Sequence, residues 1–120
     1  MEKNVFFAQV KKELVNLRKK ATQEEIKKLN FAQFDHTVKY ACIYGQMTGN
    51  CASERAKKLQ PKTYGYIGNF GKKRSKFEVH DFDEGNRFTA LEKYLYMCTK
   101  AQQRLIFQFL RKKINNIEIV

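Results

Sequence analysis

The sequence predicts a single, mainly α-helical domain of four to six helices, with a small β-hairpin or structured loop near residues 62–86. Apolar residues recur at intervals of three and four along most of the chain, which is the period of amphipathic helices. Four Thr or Asn residues are followed three positions later by Glu or Gln, the capping-box signature of a helix start. The length of 120 residues allows one domain, since two halves would each bury too little apolar surface.

The first helix is predicted from Asn4 to Lys20. Its apolar stripe consists of Phe6, Phe7, Val10, Leu14 and Leu17. Its basic residues lie largely off that stripe. The last three of them also suit a helix C-terminus, where cations meet the negative end of the helix dipole.

Two capping signals predict the next two helices. Thr22, with Glu25 three residues later, predicts a short helix that starts at Gln23. Asn30 begins a longer helix, for which Gly49 is the predicted stop. The apolar stripe of that longer helix consists of Phe31, Phe34, Val38, Ala41, Cys42 and Gly45.

A further short helix is predicted over 51–60. Asn50 is its predicted N-cap and Pro61 ends it, because proline cannot continue a helix. Its inward side chains are predicted to be Ala52, Ala56 and Leu59. Arg55, Lys57 and Lys58 would project away from that face.

The pattern changes between Lys62 and Asn86, where four of the six glycines are interleaved with aromatic and basic residues. This composition is typical of an irregular hairpin or a structured loop. Helical signals resume at Thr89 and again at Thr99, so residues 89–115 are either one helix or two. The apolar stripe there consists of Leu105, Ile106, Phe109, Leu110 and Ile114, and the tail 115–120 is predicted to add one strand.

The charge is strongly positive and unevenly distributed. Lys and Arg number 24 against 12 acidic residues, a net charge of +12, while 42% of the residues are apolar. Residues 1–20 carry six basic and two acidic groups, and residues 51–76 carry eight basic and one acidic group. Charge that served only to keep the protein in solution would be spread along the chain. Its clustering in two segments therefore predicts an anionic partner.

Lys62–Asn69, KTYGYIGN, matches part of the strand on which the RNA-recognition motif stacks bases. Its alternating Tyr64 and Tyr66 would be suitable stacking platforms. That fold is not predicted, because the upstream chain is predicted to be continuously helical. A local stacking surface with the same chemistry stays open, and so does the alternative that both tyrosines pack onto the helices.

The candidate binding residues are therefore the cations of the two basic segments and the aromatic residues among them. A solvated loop tip and ordinary C-terminal helix charges are the alternative explanations for these cations. The full set is Lys11, Lys12, Arg18, Lys19, Lys20, Arg55, Lys57, Lys58, Lys62, Tyr64, Tyr66, Phe70, Lys72, Lys73, Arg74 and Lys76.

No catalytic residue, metal site or cofactor is predicted. The three cysteines, Cys42, Cys51 and Cys98, lack the short spacing of structural zinc sites and are expected to be reduced thiols of the cytoplasm. His36 and His80 have no nucleophile motif to accompany them, although RNA cleavage by paired His and Lys stays a lesser alternative. No apolar run is long enough to cross a membrane.

Two stretches carry a resemblance to a known class of proteins. YACIYGQMTGNCASERAKKLQ, residues Tyr40–Gln60, and FTALEKYLYM, residues Phe88–Met97, resemble segments of small accessory proteins of bacterial phages and mobile elements. The resemblance covers about a quarter of the chain. It implies a counter-defence or DNA-metabolism role in the host cytoplasm, including inhibition of CRISPR effectors. Many such inhibitors are acidic DNA mimics, and a chain of net charge +12 departs from that pattern.

We therefore expect a nucleic-acid-directed binding protein whose partner is RNA or a ribonucleoprotein such as a CRISPR effector complex. The first alternative is a protein-interaction module that docks its basic face on an acidic partner surface. The second is a small RNase. Salt dependence separates the first two, because phosphate binding releases counterions and weakens steeply with salt.

Overall fold

The computed structural model describes residues 3–35, 38–61 and 89–119. Its mainly helical architecture confirms the predicted fold class. The predicted hairpin or loop at residues 62–86 lies outside the described residues. Within them the chain forms α1 (Lys3–Lys20), α2 (Gln23–Lys27), a 3-10 turn (Phe31–Gln33), α3 (Ile43–Thr48), α4 (Glu54–Leu59), α5 (Ala90–Met97) and α6 (Lys100–Leu110).

The long helix α1 organises the core. Its predicted stripe is buried, apart from Phe7, which is half-buried and meets the ring of Tyr94 edge-on at 6.0 Å. α1 packs chiefly on α5 and also contacts α4 and α6. Each fully buried leucine contributes about 1.5–3 kcal/mol to this packing. The core residues from these helices include Phe6, Val10, Leu14, Leu17, Leu59, Leu91, Leu95, Ile106 and Leu110.

Three predicted capping boxes are confirmed. At Thr22, Thr89 and Thr99 the side chain accepts a hydrogen bond from the backbone three residues on, and that residue's side chain accepts one in return. The capping box at Thr99 also shows whether residues 89–115 form one helix or two. The backbone of Cys98 is extended, so 89–115 contains two helices, α5 and α6.

The predicted long helix from Asn30 is wrong. Asn30 does act as a cap, but only one 3-10 turn follows it, and Phe34 is already extended. The chain then folds back, so that the carbonyl of Lys39 lies against Cα of Gly45. Helix α3 begins only after Cys42, whose sulfur accepts from the amide of Gly45, and it ends at Gly49 as predicted.

The predicted start of α4 is also wrong. The side chain of Asn50 accepts from the amide of Ala52 and forms a turn, and Ser53 is the N-cap of α4. Ala52 is consequently exposed, whereas Ala56 and Leu59 are buried as predicted. The sequence places two capping residues three positions apart here, and only the packing of the preceding turn selects between them.

Helix α6 ends in a Schellman motif. The amide of Lys113 donates to the carbonyl of Gln108 at 2.9 Å, and that of Lys112 donates to Phe109 at 3.1 Å. Lys112 adopts the left-handed conformation that this motif requires, with φ 62°. The tail at 115–119 forms no strand, contrary to the prediction, and Ile117 is buried in the core. Leu105 is half exposed rather than inward.

No helix among the described residues is long and apolar enough to cross a membrane.

Candidate nucleic-acid interface

Helices α1 and α4 lie side by side and run in opposite directions. The side-chain amide of Asn16 donates to the carbonyl of Leu59 at 3.3 Å, near the C-terminal end of α4. At the other end of α4, the guanidinium of Arg55 donates to the carbonyl of Lys20 at 3.0 Å. These two hydrogen bonds fix the register of the two helices and define a seam between them.

Helical spacing places four exposed lysines beside this seam, and we call them the seam lysines: Lys12, Lys19, Lys20 and Lys58. Residues three or four apart are neighbours on a helix surface. The three seam lysines of α1 are therefore the helical neighbours of Asn16, and Lys58 neighbours Arg55. Because Asn16 and Arg55 both face the opposite helix, the seam lysines flank the line where the two helices meet.

Among the residues that the structure describes, few acidic groups lie near the seam. Glu25 is engaged by Arg55 through two hydrogen bonds of 2.7 Å, which join α2 to α4. The Arg55 guanidinium lowers the pKa of Glu25 to about 2, so this carboxylate remains ionised and paired. Glu54 is exposed at the start of α4, and among the described residues no ion pair joins it to a seam lysine.

The other predicted cations of the described residues fall into two groups. Lys11 and Lys57 are exposed but lie off the seam. Arg18 and Arg55 are structural: Arg18 covers the ring of Phe109 at 4.5 Å and donates to the carbonyl of Asn115 at 3.3 Å. Four of the predicted cations are thus placed beside the seam by their helical positions, and two others have internal partners.

The remaining predicted site residues lie outside the described residues. They are Lys62, Tyr64, Tyr66, Phe70, Lys72, Lys73, Arg74 and Lys76.

Sequence reasoning missed a second feature with binding chemistry, at the end of α6. The rings of Phe31 and Phe107 stack with centroids 4.9 Å apart, and the guanidinium of Arg111 lies 3.8 Å from the Phe107 centroid. The spacing of four between Phe107 and Arg111 could have indicated their contact. Nothing in the sequence indicates that Phe31, 76 residues away by number, would join them.

A buried polar cluster connects α1, α3 and α5. Glu13 is only 4% exposed, and Glu92 only 3%. Glu13 accepts from the Tyr44 hydroxyl at 2.5 Å and from the Leu91 amide at 3.0 Å. Glu92 accepts from the Thr89 amide at 3.2 Å. Its other oxygen makes no hydrogen bond of good geometry to the described residues.

Burial dominates the titration of both carboxyls. It raises the pKa of Glu13 to about 7, although hydrogen bonds from Thr89, Tyr44 and Leu91 oppose the rise. Burial, with the neighbouring Glu13, raises the pKa of Glu92 to about 8. A general acid or base must reach its substrate. Both carboxyls are instead enclosed between helices, where they connect elements of the core.

The cysteines are free thiols. Cys42 is buried, and Cys51 and Cys98 are half-buried. Burial raises the pKa of the Cys98 thiol to about 11 and raises that of Cys42 as well. Reactive thiols need the opposite shift, toward the thiolate. His36 and His80, the other residues that the sequence offered as metal ligands or catalysts, lie outside the described residues.

Comparisons with known proteins found no relative of this chain. No protein-family model matches the chain, and no curated protein and no solved structure matches it.

Proposed function

We propose that this protein binds RNA through the seam lysines, with no cofactor, and acts as a binding protein of a phage or mobile element. The observation that carries the proposal is the clustering of four exposed lysines along one helix–helix seam. The half-buried carboxylate of Glu25, which lies beside Arg55, is already paired with that residue.

The seam is suited to a polyanionic backbone for a physical reason. Lys12, Lys19 and Lys20 span more than two turns of α1, or about 12 Å along its axis at 1.5 Å per residue. Lysine binds phosphate as a flexible point charge, so it tolerates variation in the path of the strand. A row of such charges favours an extended anionic chain over a compact anion.

Two stretches of the chain, Tyr40–Gln60 and Phe88–Met97, resemble segments of accessory proteins of phages and mobile elements, so an RNA-guided CRISPR effector is the proposed source of the RNA. A protein of net charge +12 would engage the guide of such an effector rather than mimic its DNA target. An acidic protein surface is the competing partner, and the experiment below separates the two.

The test is fluorescence anisotropy with a single-stranded RNA 12-mer over a range of KCl concentrations. If about six phosphates are neutralised, the log–log slope of affinity against salt is roughly −4. Replacing all four seam lysines with Gln should make that slope less negative by about 3, since each lost phosphate contact removes about 0.7.

The matched control replaces Lys28, Lys39, Lys57 and Lys100 with Gln, which gives the same change in net charge away from the seam. Its affinity and slope should stay close to those of the parent. Absence of binding at low salt, or a slope near zero, would exclude RNA as the partner. Equal effects of the two quadruple variants would show that net charge, and not the seam, attracts the RNA.

A further inference from the structure

Arg111 is the outer layer of a three-layer stack at the end of α6. The Phe31 and Phe107 rings are inclined by 29° with centroids 4.9 Å apart, and the Arg111 guanidinium lies 3.8 Å from the Phe107 centroid. Two flat groups this close to one ring would collide if they shared a face. Phe31 and Arg111 therefore cover opposite faces of Phe107.

Each layer is held by its own element. Phe31 opens the 3-10 turn, which the side chain of Asn30 caps through the amide of Ala32. Phe107 is half-buried in the last turns of α6, and Arg111 is the C-cap of that helix. The helix end fixes the backbone of Arg111, and the contact with Phe107 holds its guanidinium, so ordering this side chain on a ligand costs little further entropy.

The outer face of the guanidinium is available to a ligand. Arg111 is exposed, and no carboxylate of the described ranges pairs with it. Lys112 and Lys113 follow directly and are exposed as well. A planar cation on an aromatic platform, beside two further cations, offers both a stacking surface and charges for phosphates.

The stack lies at the same end of α1 as two of the seam lysines. Arg18, one residue before Lys19, covers the ring of Phe109 and donates to the carbonyl of Asn115. These contacts hold the end of α6 against the last turn of α1. The α6 end is therefore held near the C-terminal end of α1, on the face of α1 that Arg18 occupies.

We propose that the guanidinium of Arg111, supported by Phe107 and Phe31, is a stacking subsite for one unpaired nucleobase of the bound RNA. This inference rests on the proposed function and names the part of the RNA that the site takes. Stacking is tolerant of sequence, because every base has a flat π face. The subsite therefore selects single-stranded over double-stranded RNA and does not read a particular base.

The experiment uses the full chain and a single-stranded RNA 12-mer whose only base is 2-aminopurine at one internal position, all other positions being abasic, so that no other base can occupy the subsite. The fluorescence of 2-aminopurine falls when it stacks, and a second RNA is abasic at that position as well. The decisive variant is Arg111→Lys, which keeps the positive charge but replaces the planar guanidinium with an ammonium group. Lys113→Gln is the matched control, since it removes a neighbouring charge and leaves the stack intact.

The parent should quench the 2-aminopurine and bind that RNA at least about fivefold more tightly than the abasic RNA. In Arg111→Lys both the quenching and that preference should disappear, while the salt slope stays unchanged. Lys113→Gln should keep the quenching and make the slope less negative. Thermal unfolding of each variant verifies that the protein is folded.

The failures of the two proposals are distinguishable. A parent that binds both RNAs equally well without quenching, or an Arg111→Lys variant that behaves as the parent does, would overturn the stacking subsite and leave RNA binding intact. A parent that binds neither RNA would overturn both proposals.

Discussion

The hydroxyl of Tyr44 donates a 2.5 Å hydrogen bond to Glu13 inside the core, 31 residues away along the chain. Glu13 also accepts from the backbone of Leu91, so one carboxyl joins α1, α3 and α5. The second buried carboxyl, Glu92, adds to the electrostatic cost of ionising this cluster. Both groups therefore favour their protonated forms in the folded state.

The first prediction follows from the sign of these shifts. Both carboxyls have an ordinary pKa of 4.5, and in the folded protein it is raised to about 7 for Glu13 and about 8 for Glu92. Between pH 4.5 and about pH 8 the folded state therefore binds more protons than the unfolded state. The free energy of unfolding consequently falls as pH rises through this range. The free energy of unfolding, measured with urea from pH 5 to pH 9, should decrease over this range.

Glu92→Gln should flatten that decrease, because one of the two buried titrating groups is gone. The side-chain oxygen of the introduced Gln can still accept from the backbone amide of Thr89. Its side-chain nitrogen would take the place of the second carboxylate oxygen of Glu92, which makes no hydrogen bond of good geometry to the described residues. Glu118→Gln, which changes an exposed carboxyl, is the control and should follow the parent. A parent that gains stability between pH 5 and pH 8 would contradict the prediction.

The second prediction concerns Gly45, where the chain before α3 presses against the helix. A Cβ at this position would lie 2.8 Å from Cα of Tyr40 and still closer to the carbonyl of Lys39. Both obstacles are backbone, so neither can rotate away. Gly45→Ala should lower the free energy of unfolding by about 3 kcal/mol or more, the upper end of overpacking costs.

Gly49→Ala is the matched control for Gly45→Ala. Gly49 has φ 96° and open space where its Cβ would stand. Only the backbone strain of the left-handed region then opposes the substitution, at about 1–2 kcal/mol. Equal losses for the two variants, measured by chemical denaturation, would show that the collision at Gly45 is relieved by movement of the loop.

The third prediction separates structural from binding cations. Arg55→Lys keeps the charge but loses the paired hydrogen bonds to Glu25 and the bond to the carbonyl of Lys20. Because Arg55 is partly exposed, the loss of stability should be about 1 kcal/mol at neutral pH. The salt slope of RNA binding should not change.

The contribution of Glu25 to this pair also has a definite pH dependence. Its folded pKa of about 2 lies below the ordinary 4.5, so the pair stabilises the fold above pH 4.5. That stabilisation is lost as pH falls toward 2. Parent and Arg55→Lys should therefore converge in stability in acid. A difference that persists there would assign the loss to packing of the Arg55 side chain.

The fourth prediction concerns the end of α6. Lys112 adopts φ 62°, a conformation that costs a non-glycine residue about 1–2 kcal/mol and glycine almost nothing. Glycine loses more entropy on folding, by about 0.5–1 kcal/mol. Lys112→Gly should therefore raise the free energy of unfolding by about 0.5–1 kcal/mol. Lys113→Gly makes the same change of charge and should not stabilise, and stabilisation of both variants would point to charge repulsion instead.

The sequence by itself determined the helices whose starts are encoded locally. A capping box needs only residues three positions apart, and for this reason Thr22, Thr89 and Thr99 were assigned correctly. The stripe of α1 was equally readable, because its period reflects one buried face. The net charge and its clustering in two segments are also properties of the sequence alone.

Only the tertiary structure decided the features that depend on distant partners. The helix predicted from Asn30 ends after one turn, because the chain up to Cys42 folds back across Gly45. The seam was not readable from the sequence, since Asn16 and Leu59 are 43 residues apart. The burial of Glu13 was not readable from the sequence either. A carboxylate in a basic helix suggests a solvated charge, and only the packing of α3 and α5 places Tyr44 and Leu91 beside it. Local patterns encode where a helix begins, whereas the partners of a side chain depend on how the helices pack.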